Sequence, residues 1–187
     1  MQIKSIAVIG AGPLGRDIAF LAARAGYPTV LEDVNAETLE RALAAIRAAE
    51  FSAGDGDAAI SRLSISRSIE DAMRAAELII DTTLDELETK LEVFTIFDKF
   101  ARPGAILASC TASLSVSEIA TITFRAERCV GMRFEGPASE LTRIEIVRNS
   151  QTAEDVVGAC AETGRRMGLE VVISSEPAES KREVETR

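Results

Sequence analysis

Gly10, Gly12 and Gly15 stand in the spacing G-x-G-x-x-G directly after the apolar run 3–9, and an acidic pair, Glu32-Asp33, closes the next apolar run. Each glycine in such a pattern does something a side chain would prevent. Gly10 makes the tight turn, Gly12 lets a pyrophosphate approach the backbone, and Gly15 lets helix and strand pack closely. A helix beginning here presents unpaired N–H groups and a positive dipole end to phosphates. Pro13 is tolerated at that helix start because its N–H would be unpaired anyway, and Leu14 completes the loop on which the ligand would rest. Asp33 lies about 18 residues beyond Gly15, where a carboxylate can accept hydrogen bonds from an adenosine ribose. It would repel a 2′-phosphate, so the pattern favours NAD over NADP. A flavin dinucleotide is the lesser option, because no second flavin-binding region is legible.

These residues work only if a parallel sheet and its crossover helices hold them. The hydrophobic pattern predicts strands over 3–9, 29–31, 62–65, 78–81 and 105–108, alternating with longer helical stretches. The first helix, 14–25, places Ile18, Leu21, Ala22 and Ala25 on one face and stops at Gly26. Asn35 is in place to cap a second helix running to about residue 49, with Leu39, Leu43 and Ile46 on its buried stripe. Turn residues over 51–58 predict a loop, and 69–75 a short helix. A helix over 85–100 would bury Leu87, Leu91, Phe94 and Phe97. Beyond Ser109 the pattern changes. A short helix over 115–122 precedes two strands, 128–134 and 141–147, with no ordinary helix between them. A last helix, 153–167, leads to a strand over 169–173. The expected fold is α/β: a Rossmann-type, doubly wound, mainly parallel sheet with helices on both faces. It forms one domain, residues 1–174, followed by a charged, flexible tail, 175–187.

Composition narrows the functions open to such a domain. The 187 residues carry a formal net charge of −9, with 47% hydrophobic and 27% charged residues. No basic stripe stands out, which argues against nucleic acid or an anionic membrane surface as partner. The longest apolar stretches fall far short of a membrane span, and no signal peptide is legible at the N-terminus. Cys110, Cys129 and Cys160 have no metal-ligand spacing. Scattered thiols in an α/β chain point to buried, reduced cysteines and a cytoplasmic protein. The sequence contains no histidine, so the commonest general base of dinucleotide-dependent enzymes is missing.

Longer blocks of the chain resemble one family, the 3-hydroxyacyl-CoA dehydrogenases. The blocks are IKSIAVIGAGPLGRDIA, AGYPTVLEDVNAETLERAL, AELIIDTTLDELETKLEVF, GAILASCTASLSVSEIA, RCVGMRFEGPASELTRIEIV and GLEVVISSEP. They run from Ile3 to about Pro177 and are similar to that family's N-terminal NAD-binding domain. The resemblance implies that Asp85 and Lys90 match an acid and a lysine that contact the cofactor, with Asp in place of the usual Glu. Without the resemblance they read equally as an ion pair on a helix surface.

The resemblance also implies a reaction centre, and there this chain departs from the pattern. The family motif G-[LM]-H-F-F-N-P supplies a histidine base paired to a glutamate on the next strand. Here it reads Gly131-Met132-Arg133-Phe134-Glu135-Gly136-Pro137, so Arg133 stands at the histidine position and Gly136 at that of the asparagine. The paired glutamate is kept as Glu145. The family's A-S-N-T-S-S-L reads Ala108-Ser109-Cys110-Thr111-Ala112-Ser113-Leu114, so Ala112 replaces the serine that orients the substrate oxygen. Arginine stays protonated and has no acceptor lone pair. It can polarise a carbonyl or hold a carboxylate but cannot alternate as acid and base. Loss of a general base typically costs ~10²–10⁴ in rate. The simpler expectation for Arg133 and Glu145 is a salt bridge between neighbouring strands, and the sharper one an anion-recognising arginine held by its glutamate. Any replacement proton relay would draw on Ser113, Thr111 or Glu145.

Two further departures bear on the substrate. The family's junction into a helical second domain is replaced by Ser175-Glu176-Pro177-Ala178-Glu179, and its longer helical hairpin after the second helix is cut to FSAGDGDAA. Three readings follow. The first is an NAD-dependent oxidoreductase of this family acting on a 3-hydroxyacyl thioester or related hydroxy acid, impaired at its base. The second is a non-catalytic NAD(H)-binding module or subunit, and the third an oxidoreductase whose acidic substrate is held by Arg133. In each, a homodimer or partner chain is expected to cover an apolar face that the second domain covers in the family.

Overall fold

Strand β1 (Ile6–Ile9) is four apolar residues, all buried, as befits a strand with neighbours on both sides and helices on both faces. The computed structural model describes residues 1–53, 58–136 and 141–176. The chain continues through α1 (Pro13–Arg24), β2 (Thr29–Glu32), α2 (Ala36–Ala53), β3 (Leu63–Ser66), α3 (Ile69–Met73), β4 (Leu78–Asp81) and α4 (Leu87–Phe100). It ends through β5 (Ile106–Ser109), α5 (Val116–Ala120), β6 (Cys129–Glu135), β7 (Arg143–Arg148), α6 (Glu154–Arg166) and β8 (Glu170–Ser175).

The strands form one sheet in the order β3-β2-β1-β4-β5-β6-β7-β8. Neighbours from β3 to β6 are parallel, β7 runs antiparallel to β6, and β8 is parallel to β7. The order reverses at β1, which pairs with β2 on one side and β4 on the other. Crossovers leave β1 and β4 in opposite directions, so a crevice opens at their carboxyl ends, where doubly wound sheets bind ligands.

Two cores divide along the sheet. Ile18 and Ala22 of α1, Leu39 and Ile46 of α2, and Val156 and Cys160 of α6 pack on one face. Met73 of α3, Phe94 and Phe97 of α4, and Ile119 of α5 pack on the other. The doubly wound architecture expected from the alternating pattern is therefore present.

The boundaries shift for identifiable reasons. Asn35 caps α2 as expected, its Oδ1 accepting from the N–H groups of Glu37 (2.9 Å) and Thr38 (3.1 Å). The helix then runs on to Ala53, into the stretch read as a loop; residues 54–57 of that loop lie outside the described residues. In α4 the buried face is Lys90, Val93, Phe94 and Phe97 rather than one centred on Leu87 and Leu91, both of which stay half-buried. The stretch read as a flexible tail from residue 175 is paired at its start: β8 extends to Ser175, and Glu176 N–H donates to the Arg148 carbonyl at 3.0 Å. Residues 177–187 lie outside the described residues.

On the α5 side of β6–β8 two ion pairs cross the strands, Arg133 with Glu145 and Arg143 with Glu135. Among the described residues the most exposed large apolar side chain is Phe124, at 99%. No helix among the described residues is long and apolar enough to cross a membrane.

Candidate functional site

The crevice is built from the glycine turn upward. Gly10 takes φ +101°, and its N–H donates to the Glu32 carbonyl at 2.9 Å. A Cβ on Gly15 would sit 1.9 Å from the Gly10 carbonyl oxygen and 2.5 Å from Thr82 Oγ1, so only glycine allows this approach of helix to turn. A Cβ on Gly12 would meet nothing within 4 Å. That open space lies at the N-cap of α1, whose first residue is Pro13, followed by half-buried Leu14. It is where a phosphate can reach the unpaired N–H groups of the helix.

Asp33 is fixed beside this turn. Its Oδ2 accepts from the Ala11 N–H at 3.0 Å and its Oδ1 from the Asn35 N–H at 2.9 Å. A carboxylate held by two backbone donors keeps further lone pairs for a ribose diol. The neighbouring Glu32 is buried, with no hydrogen-bond partner on Oε1. Its carboxyl is pushed up to about 7, first by burial and then by the charges of Asp33 and Glu70.

Thr82, which sequence reasoning passed over, stitches the end of β4 to the turn. Its Oγ1 lies 2.9 Å from the carbonyl oxygens of both Ile9 and Gly10, and its N–H donates to Ile9. Behind it sits a sealed ion pair: Lys90 Nζ lies 2.8 Å from Asp81 Oδ2, with both side chains 0% exposed. Lys90 also donates to the Thr83 carbonyl (3.0 Å), and the Thr83 N–H and hydroxyl donate to Asp81 Oδ1. The ammonium thus serves Asp81 and the turn after β4 rather than lying open. The helix-surface ion pair with Asp85 is not what forms.

Asp85 precedes α4 and ties two loops together, its Oδ2 accepting from the Ala112 N–H at 3.1 Å. Partial burial raises its pKa, but bonds from the Thr111 hydroxyl and Ala112 N–H, with the Lys90 charge, outweigh that and leave it lowered. The loop after β5 so held carries Ser113, which is exposed; the Ser113 and Leu114 N–H groups donate to Thr111 Oγ1.

Arg133 and Glu145 face each other directly across β6 and β7. Arg133 Nη1 lies 3.4 Å from Glu145 Oε2, and its Nε donates to the Thr111 carbonyl at 3.0 Å. The cross-strand salt bridge expected from the sequence is there, with a second anchor on the Ser113 loop. Both side chains remain about a quarter exposed, 28% and 24%, in a groove of about 1180 Å³ that Ser113, Val147, Ser174 and Glu176 also line. Glu176 crosses this groove to α5. Its carboxylate accepts from the N–H groups of Val116 and Ser117 (2.9 Å for the latter) and from the Ser117 hydroxyl at 2.6 Å. Gly136, at the family's asparagine position, ends the described part of the motif; Pro137 lies outside it.

The fold and the glycine crevice define a dinucleotide-binding Rossmann domain. Residues 5–176 match the family model described as 3-hydroxyacyl-CoA dehydrogenase, NAD binding domain. The chain is 34% identical over 180 residues to a probable 3-hydroxybutyryl-CoA dehydrogenase of Bacillus subtilis, covering 92% of this chain and 62% of that protein. It is 32% identical over 182 residues to a 3-hydroxybutyryl-CoA dehydrogenase of Bradyrhizobium diazoefficiens, covering 93% and 62%. The crystal structure of 3-hydroxybutyryl-CoA dehydrogenase from Escherichia coli K12 superposes with a TM-score of 0.87 at 30% identity, over 94% of this chain and 39% of that one. The chain belongs to the 3-hydroxyacyl-CoA dehydrogenase family, as its NAD-binding domain. It spans less than two thirds of the length of these curated relatives.

NAD is the cofactor of this domain, and the residues present fit it: open space at Gly12 for the pyrophosphate and a positioned carboxylate at Asp33. A bound nicotinamide supplies hydride chemistry; the chain's part is to seat and orient it.

Proposed function

We propose that this chain binds NAD(H) and that the family's oxidation of 3-hydroxyacyl-CoA, a step of fatty acid metabolism, is impaired in it. The observation that carries the reading is the setting of Arg133. Its guanidinium donates to the Thr111 carbonyl and faces Glu145 at the position of the family's histidine. A group that only donates cannot take the hydroxyl proton, and Ala112 brings no hydroxyl to orient the substrate oxygen. The assigned cofactor residues are Gly10, Gly12, Pro13, Leu14, Gly15, Asp33 and Asp85, with Lys90 supporting them from behind. Glu145, Arg133 and Ser113 form the remnant reaction centre. Cys129 and Cys160 are buried, Cys110 only half-buried, and burial pushes Cys160 up to about 12; free, scattered thiols of this kind accord with a cytoplasmic protein. A second copy of this chain, or another chain, is the expected protein partner.

A second reading is favoured by one observation: Arg133 is partly exposed in the groove beside Ser113, so its remaining edge can meet a carboxylate of an acidic substrate. Titration of the purified chain with NADH and NADPH, followed by turnover of an acetoacetyl thioester, tests the main reading. NADH binding without turnover supports it, and robust turnover overturns the impairment. Asp33→Ala should weaken NADH binding by about tenfold or more, the worth of hydrogen bonds to a charged group; unchanged affinity removes the ribose assignment. Arg133→His should leave turnover of the thioester far below that of a competent dehydrogenase, because Ala112 remains.

A further inference from the structure

Glu32 is the charged group of the crevice that cofactor recognition by Asp33 leaves unexplained. It is 2% exposed, its Oε1 has no hydrogen-bond partner, and its backbone carbonyl holds the Gly10 N–H of the glycine turn. In the sheet it lies between Ile9 of β1 and Ser66 of β3. Of its surroundings, β1 brings only apolar Ile9, and the Ser66 hydroxyl is spent on the Ser68 carbonyl. From α3 comes a carboxylate, Glu70, bonded to the Ser68 hydroxyl, and from its own strand end comes Asp33. Of the cations on these elements, Arg67 is exposed and Arg74 is bound to Asp71, and the charges acting on Glu32 are those of Asp33 and Glu70. An ionised Glu32 would therefore face two like charges, with Oε1 unpaired and little water around it. Its carboxyl accordingly titrates near neutrality, at about 7.

We propose that Glu32 is a proton-coupled positioning residue of the dinucleotide site, drawn into its neutral acid form when a dinucleotide binds. The pyrophosphate brings negative charge to Gly12 and the adenosine covers Asp33, removing water from its carboxylate. Both changes penalise an ionised Glu32 further. Where Glu32 is ionised in the free protein, binding then draws a proton from solvent onto its carboxylate, with no other bond made or broken. By linkage, affinity is highest where Glu32 is already protonated and declines as pH rises through the point where the free protein ionises. A rise of one pH unit in that point is a factor of ten in affinity.

The inference rests on the NAD-binding reading, and the experiment separates the two. Untagged protein is titrated calorimetrically with NADH near pH 7.5 in two buffers of different ionisation enthalpy, and NADH affinity is measured from pH 6 to pH 8.5. A sequence without histidine leaves few other groups to confuse the result. The expected outcome is a buffer-dependent heat equivalent to a large fraction of one proton taken up, and affinity several-fold weaker at the alkaline end. Glu32→Gln, which keeps shape and removes the titration, should flatten both. NADH binding with equal heats in both buffers, or the same pH profile in Glu32→Gln, overturns the proposal and leaves the cofactor reading intact. Absence of NADH binding at every pH overturns both. If the variant does not fold, the two-buffer comparison on the unmodified chain decides alone.

Discussion

Asp33, beside the glycine turn, and Arg133, on β6, are each a charged side chain tied to the backbone of a neighbouring loop. Asp33 accepts from Ala11 and Asn35 and keeps lone pairs for a ligand. Arg133 donates to Thr111 and faces Glu145, and has no lone pair to offer. The first arrangement prepares a site for recognition. The second spends the charge on bracing β6, β7 and the Ser113 loop. Within one sheet, the Asp33 end leaves acceptors free, while the Arg133 end presents donors alone.

The comparison breaks most visibly at Gly15. Gly15→Ala drives a Cβ against the Gly10 carbonyl oxygen, and relief requires moving α1 or the turn. NADH binding should be abolished, with a stability loss at or above the ~3 kcal/mol upper range of ordinary overpacking. NADH titration and urea unfolding would show it, and a variant that binds NADH normally would mean the crevice is not closed by this contact.

Next in size is Lys90→Met. It leaves Asp81 as an uncompensated buried charge, which typically costs about 3–5 kcal/mol. The double variant Asp81→Asn with Lys90→Met should recover part of that loss in urea unfolding. If Lys90 acted only on a ligand, the single variant would leave the apo protein's stability unchanged.

Glu32 sharpens the comparison through pH. Its folded-state pKa of about 7 is raised from 4.5, so the folded protein holds the proton more tightly than the unfolded chain. The associated stability is fully present below pH 4.5, is lost as pH rises through about 7, and amounts to roughly 3 kcal/mol. Unfolding midpoints for the wild type and Glu32→Gln should diverge over that window, with the wild type losing more as pH rises.

The smallest effect belongs to Arg133→Met. A partly exposed ion pair contributes about 1 kcal/mol or less, so thermal unfolding should shift by a few degrees and NADH affinity little. A large loss of NADH affinity in this variant would place Arg133 in the cofactor site after all.

Much of this molecule was legible beforehand because short-range rules set it. The β-branched runs became central strands, Asn35 capped α2, and the glycine spacing marked the turn at the switch point of the sheet. Arg133 opposite Glu145 was legible too, since two strands with no helix between them pair antiparallel. The face of α4 was not. Helical periodicity favoured Leu87 and Leu91, but Asp81 at the end of β4 offers a buried partner for Lys90, and the helix turns that face inward. Thr82 gave no signal because a threonine after a strand is commonplace until the glycine turn lies against it. Glu176 read as part of a charged tail, and only the course of β8 carries it across to the N–H groups of α5.

What the sequence determined by itself is therefore the set of elements, the glycine turn after β1, and the absence of any histidine, all of which depend on residue type and spacing along the chain. Which charges are enclosed and which remain open was decided by tertiary structure. Desolvation depends on what packs against a side chain from distant parts of the chain: it sealed Lys90 onto Asp81, left Arg133 partly in solvent, and enclosed Glu32 beside two other carboxylates.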